Sequence, residues 1–139
     1  MSNALYPLGR EGFLAGEIDW NGATIKAALC RGYVYDATDK YVSDLTGVTQ
    51  VAVATLASPT VTQGVADAAD VTLTAVPAGA ACDSIIIYQA SAVTGGADVA
   101  TTAQRLIAFV DTATGLPVTP NGGDISIAWD SGANKIFAL

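Results

Sequence analysis

Three features of the sequence predict an all-β fold. Eleven of the thirteen acids are Asp and only Glu11 and Glu17 are Glu, whereas a helical surface favours Glu, Lys and Arg. Apolar residues alternate with polar or small ones in short runs such as Ile25, Ala27 and Leu29, the period of a strand with one buried face. Fourteen Gly and five Pro punctuate these runs, as tight turns between short strands require. Together they predict a single-domain, jelly-roll-like β-sandwich or small barrel with one or two short helices.

Along the chain, Pro7 at a helix entry and Gly16 at its exit predict a short helix or arm over residues 1–16. Phe13, Leu14 and Ile18 form its core-facing side, while Gly9 and Gly12 lower its helical propensity. Residues 24–29 read as the first strand, with Lys26 pointing away from the buried face. Tyr33-Val34-Tyr35 is its expected return across Arg31-Gly32. Asp39 is placed to cap a helical turn that faces Tyr41, Val42 and Leu45 inward and stops at Gly47. Strands follow at 51–56, 60–62 and 71–76, the last with Val71, Leu73 and Ala75 toward the core. Ile85-Ile86-Ile87-Tyr88 and residues 106–110 are apolar throughout, as central strands covered on both faces are. Between them, residues 91–103 carry Gly95-Gly96 and Asp98 and read as a mobile surface loop. Residues 112–123, with Pro117, Pro120 and Gly122-Gly123, form a second connection. Ile125, Ile127 and Trp129 then alternate, Asp130-Ser131-Gly132 turns the chain, and residues 135–139 form a terminal strand.

A chain of 139 residues and 14.0 kDa fits one β domain over 1–139, with a folded surface near ~6,700 Å². Its 51% hydrophobic and 14% charged residues exclude the disordered class, which lacks the apolar surface to offset ordering entropy. The formal charge of −7 repels phosphate backbones and anionic headgroups, so neither a nucleic acid nor a membrane is expected as a partner. No apolar run approaches the ~20 residues of a membrane span. Met1-Ser2-Asn3-Ala4 does not lead from a charged segment into an apolar one, so synthesis in a reducing cytosol is expected. There Cys30 and Cys82 act as small hydrophobes, with a disulfide left open.

The absence of His removes Ser-His-Asp and Cys-His nucleophilic schemes and the usual zinc sites. No phosphate-binding loop occurs, and Gly9-Arg10-Glu11-Gly12 lacks the third glycine and the preceding strand of a dinucleotide fingerprint. Glu17 with Asp19, and Asp67 with Asp70, are the acid pairs a glycosidase would need, but each sits where an Asp-rich turn is expected. The acids form no calcium-loop run. The bases Arg10, Lys26, Arg31, Lys40, Arg105 and Lys135 are dispersed, with Arg105 expected at a strand edge. No catalytic residue, cofactor or metal ligand is predicted.

Several segments, read in order, resemble a family of small structural proteins of tailed bacteriophages, the capsid cement or decoration type. They are Tyr6-Pro7, the aromatic lead from Phe13 through Trp20 into residues 24–29, residues 64–73, Ile85-Ile86-Ile87-Tyr88, Arg105-Leu106-Ile107-Ala108, Asn121-Gly122-Gly123-Asp124-Ile125, Trp129-Asp130 and residues 135–139. Arg31-Gly32 departs from the acidic turn the resemblance leads one to expect. The resemblance implies a non-enzymatic virion protein on the outer capsid surface, made in the host bacterial cytoplasm, that bridges and stabilises the lattice of the major capsid protein. A tail, fibre or baseplate component is the alternative. Its partners would be the major capsid protein and copies of itself, a dimer before a trimer. The contact elements would be the termini and the two long loops: Tyr6, Leu8, Arg10, Gly95, Asp98, Val99, Pro117, Pro120, Phe137 and Leu139. Phe13 and Trp20 are expected in the core. A carbohydrate-binding module would instead expose Trp20 or Tyr88 on a platform.

Overall fold

A computed structural model describes residues 3–133 and 135–139; Met1 and Ser2, at the head of the arm expected over 1–16, and Asn134 lie outside the described residues. In chain order the elements are β1 (Ala4–Leu5), α1 (Pro7–Leu14), β2 (Ile25–Arg31), β3 (Thr49–Thr55), β4 (Thr60–Thr62), β5 (Val65–Asp67), β6 (Val71–Leu73), β7 (Ser84–Gln89), β8 (Arg105–Val110), β9 (Ile125–Ile127) and β10 (Phe137–Ala138). Short 3-10 turns occupy Val42–Asp44 and Thr101–Ala103. The strands form a five-stranded antiparallel sheet in the order β1-β8-β7-β2-β3, a three-stranded sheet β10-β5-β4 and the pair β6-β9. The all-β class expected from the sequence is the one observed. The accessible surface of 6759 Å² matches the value the chain's mass implies.

β7 lies at the middle of the large sheet, and all six of its residues are buried. Successive strand side chains point to opposite faces, so β7 feeds two apolar layers. Ile85 and Ile87 join Ile25, Ala27 and Leu29 of β2, with Leu73, Val76 and Phe137 packed over them. Ile86 and Tyr88 join Ala28 and Cys30 of β2, with Leu106, Phe109, Tyr6, Tyr33, Val42 and Leu45. β2 is therefore covered on both faces, not one as expected. Ala28 and Cys30 are small, and their burial does not register as an apolar run. Each fully buried Ile or Leu contributes about 1.5–3 kcal/mol, so these two layers dominate stability.

Elsewhere the structure corrects the reading element by element. Tyr33-Val34-Tyr35 forms no strand: Gly32 adopts φ +81°, and a Cβ there would stand 2.6 Å from the Gly47 carbonyl oxygen, so the chain turns under the sheet. The Tyr35 ring packs 5.2 Å from Tyr6 and 5.4 Å from Phe109. Asp39 caps no turn; it accepts the Tyr33 hydroxyl at 2.7 Å. Tyr41 is the N-cap, and Asp44, three residues on, closes a capping box by accepting the Lys40 and Tyr41 amides at 3.0 and 2.8 Å. Val42 and Leu45 are buried as expected. Ala75 is exposed at φ +48°, and Val76 takes the core position. β5 was not anticipated; Gln63 and Gly64, both at positive φ, make the two-residue turn that pairs it with β4.

The 91–103 segment, expected to be loose, is fastened at several points. Ser91 bridges Asp98, Lys26 pairs with the Asp98 carboxylate at 2.5 Å, and Gly95 lies so close to the Gly22 carbonyl that a Cβ would approach it to 2.5 Å. Cys30 and Cys82 are both free and buried. Burial first, then the neighbouring Cys82 and Asp83, pushes the Cys30 thiol up to about 12. Both cysteines are thus inert packing residues.

Candidate interaction surface

The two ends of the chain meet on one side of the fold because α1 can approach the large sheet at backbone distance. Gly9 and Gly12 are the buried residues of the helix. A Cβ on Gly9 would lie 2.7 Å from the Leu106 carbonyl oxygen, and one on Gly12 would lie 2.7 Å from the Arg105 guanidinium. The glycines that weaken the helix as a helix are thus what dock it on β8. Arg105, expected at a strand edge, is 3% exposed; it pairs with Glu17 and donates to the Leu8 carbonyl. Gly16, at φ +74°, ends the helix and delivers Glu17 to this pair.

Beyond Glu17 the chain enters the core. Trp20 donates its indole N–H to the Asp67 carbonyl at 3.0 Å, and its ring meets Phe137 edge-on at 5.1 Å. Phe13 lies 5.7 Å from the same Phe137 ring. These contacts fasten β10 to the first helix. Beside them opens an apolar cleft of about 440 Å³, lined chiefly by Phe13, Ile18, Trp20, Val61, Phe137 and Leu139, with Asp19 and Asn21 also lining it. Val61 is 49% and Leu139 60% exposed, and Leu14, next to Phe13 in the chain, is 89% exposed. Among the described residues, the other large exposed hydrophobics, Leu14, Val34 and Val53, line no part of this cleft. Leu14, expected to face the core, instead projects into solvent.

The candidate contact residues divide accordingly. Phe137 and Leu139 reach the cleft, Phe137 as buried floor and Leu139 as exposed rim. Tyr6 is fully buried and donates to the Tyr33 hydroxyl at 3.1 Å, and Pro120 is also buried; neither presents a side chain to a partner. Leu8 is half-buried on α1 and Arg10 is exposed there. Gly95, Asp98 and Val99 sit together in the fastened loop, while Pro117 is exposed on a separate connection. Phe13 is half-buried and Trp20 buried, as expected. Tyr88 is also buried, so neither Trp20 nor Tyr88 forms a sugar platform. Sequence reasoning missed Val61 as a wall of the cleft. Its signal was an apolar residue isolated between threonines.

None of the family models, curated proteins or solved structures compared with the chain matches it.

Asp19, Asp36 and Asp130 accept the backbone amides of Asn21, Thr38 and Gly132, each two residues on, at 2.8–3.1 Å, the turn role expected of Asp. Asp70 and Asp124 instead accept the amides of Trp129 and Ala75, both at 2.9 Å, and tie segments 59 and 49 positions apart. Hydrogen bonds from Thr38 hold the Asp36 carboxyl below its ordinary range. Among the described residues, no group of three or more His, Cys, Asp or Glu is arranged to hold a metal ion. Among the same residues, no helix is long and apolar enough to cross a membrane. Chemically, the cleft beside Phe137 offers apolar contact, with Asp19 and Asn21 adding polar groups to its lining.

Proposed function

We propose that the protein is a non-enzymatic virion structural protein of a tailed phage, a capsid cement or decoration protein on the outer head surface. The observation that carries this reading is the gathering of the exposed Val61 and Leu139 with Phe13 and Phe137 around an apolar cleft built from both ends of the chain. Exposed apolar patches of this kind mark contact surfaces. A protein that fills such a cleft with a neighbour's side chain binds the assembled lattice and not the dispersed subunits. That preference stabilises the shell by mass action, and many identical weak contacts sum to a strong one. The family resemblance set out above supplies the partner, the major capsid protein, and allows contact with copies of itself, a dimer before a trimer. The net charge of −7 suits a surface turned away from the packaged genome.

The test is the number of copies per purified virion, by quantitative mass spectrometry against the major capsid protein. A fixed near-integer ratio, on the order of hundreds of copies as icosahedral repetition requires, is the expected result. A handful of copies would contradict it and assign the protein to the tail, fibre or baseplate. Absence from virions would contradict both assignments.

A further inference from the structure

A second cleft, of about 450 Å³, opens between the segments that follow β8 and β9 and the one that leads into β10. Neither Phe137 nor Leu139 lines it; Ile85, Val110 and Ile127 give it an apolar base, and Trp129, Asp130 and Lys135 border it. Trp129 is half-buried and packs against the core. Its amide donates to the Asp70 carboxylate at 2.9 Å and its indole N–H to the Ala69 carbonyl at 3.1 Å. Both donors are thus occupied in fixing the side chain, and what it offers a ligand is its ring. Asp130 is exposed and Lys135 half-buried. Among the described residues the two do not pair with each other. Asp130 accepts the Gly132 amide at 3.1 Å, and Lys135 donates to the Ser131 carbonyl at 3.4 Å. A carboxylate has room for about four donors and an ammonium carries three, so each keeps capacity for a ligand.

These features select their ligand. One acid and one base line the cleft, so the attraction of either for an ion is offset by the other, and a neutral molecule is favoured. A pure hydrocarbon would cover both charges without bonding to them, at a desolvation cost. A pyranose meets each demand: its C–H face is apolar and lies on an indole ring, while its hydroxyls donate to a carboxylate and accept from an ammonium. The volume lies within the range of about 300–1,000 Å³ of small-molecule sites. We propose that this cleft binds a neutral sugar unit of a glycan, stacked on Trp129 and held between Asp130 and Lys135. Trp129 is thus the platform that the buried Trp20 and Tyr88 do not supply. The proposal is independent of the capsid reading.

The test titrates the full chain, labelled with nitrogen-15, with the methyl glycosides of glucose, galactose, mannose and N-acetylglucosamine, and with leucine as a dipolar control. The chain has two tryptophans, so two indole N–H signals report. At least one glycoside should give saturable shifts at the Trp129 indole and the Lys135 amide, and none at the Trp20 indole, which is buried against Phe137. Its affinity should fall about fivefold or more in Asp130→Asn and in Lys135→Met, the scale of one charge-assisted hydrogen bond. Asn keeps an acceptor for the Gly132 amide and Met keeps the apolar stem of Lys135, so both variants should fold, as thermal melts check. No saturable shift with any glycoside, equal shifts at both indoles, tighter binding of leucine, or unchanged affinity in either folded variant would overturn the proposal. A failed copy-number test leaves this result intact, and a failed titration leaves the capsid reading intact.

Discussion

Arg105 and Glu17 form an ion pair whose halves lie in different environments: the arginine side chain is 4% exposed and the glutamate 53%. The same guanidinium donates to the Leu8 carbonyl and lies 5.7 Å from the Tyr41 ring centre. One buried cation therefore joins α1, the turn after it and the start of β8. Glu17 and Arg105 are 88 positions apart in the chain, so the pair ties its beginning to β8.

Breaking that pair on the exposed side leaves the buried charge undercompensated. Glu17→Gln should lower stability by about 1–2 kcal/mol, the cost of an orphaned buried charge discounted for the water around the carboxylate. Combining it with Arg105→Met removes the charge as well as its partner and should recover part of that loss. Urea denaturation of the single and double variants reads both. An unchanged midpoint in Glu17→Gln would show that the pair does not hold α1.

Gly9 sets helix propensity against packing. Alanine there gains about 1 kcal/mol of propensity, but its Cβ would meet the Leu106 carbonyl at 2.7 Å. Backbone cannot yield as a flexible side chain can, and overpacking costs about 1–3 kcal/mol. Gly9→Ala should therefore lower the melting temperature, whereas Gly→Ala in an exposed helix raises it. A rise would mean that α1 does not dock on β8.

Alkaline stability follows from buried acids held neutral. The Cys30 thiol moves from 9.0 to about 12, chiefly by burial. Burial also raises Tyr33 from 10.0 to about 12, its bond to Asp39 adding to this while that from Tyr6 opposes it. Tyr6 is raised further, by burial and its bond to Tyr33. The unfolded chain loses these protons first, so it binds fewer than the native state, and stability falls as pH rises. The decline should begin near 9.0 and continue to about 12. In Cys30→Ala the decline just above 9.0 should become shallower without vanishing, because burial also raises the Cys82 thiol from 9.0. Denaturant midpoints between these limits check it; a flat profile would contradict the burial of these groups.

The parts of the fold that were legible are those whose cause is local. Ile85-Ile86-Ile87 and Leu106-Ile107 announce doubly covered strands because every position is apolar. Pro7 and Gly16 frame α1 because proline fits a helix entry and glycine a left-handed exit. Asp marks turns because its side chain bonds amides two residues on. What escaped depends on distant partners. Arg105 reads as a surface base until Glu17 and Leu8 are brought to it. Tyr6 and Phe137, near the two ends of the chain, read equally well as anchors or as core. Ala28 and Cys30 are too small to declare a second buried face on β2. The cleft needs α1, β4 and β10 together, and no local pattern encodes that meeting.

The central claim is that the cleft beside Phe137 docks the protein on an assembled capsid lattice. The most direct measurement is a binding isotherm of purified protein on capsids stripped of it, comparing the wild type with Val61→Asp and Leu139→Asp, both at the cleft. Both side chains are exposed, so the variants should keep their stability, surface changes being worth within about 0.5 kcal/mol. The account predicts saturable wild-type binding to assembled capsids, none to dispersed coat protein, and a loss of about tenfold or more in each variant, the scale of a lost interface anchor. Equal binding by all three proteins, or no binding by the wild type, would contradict it.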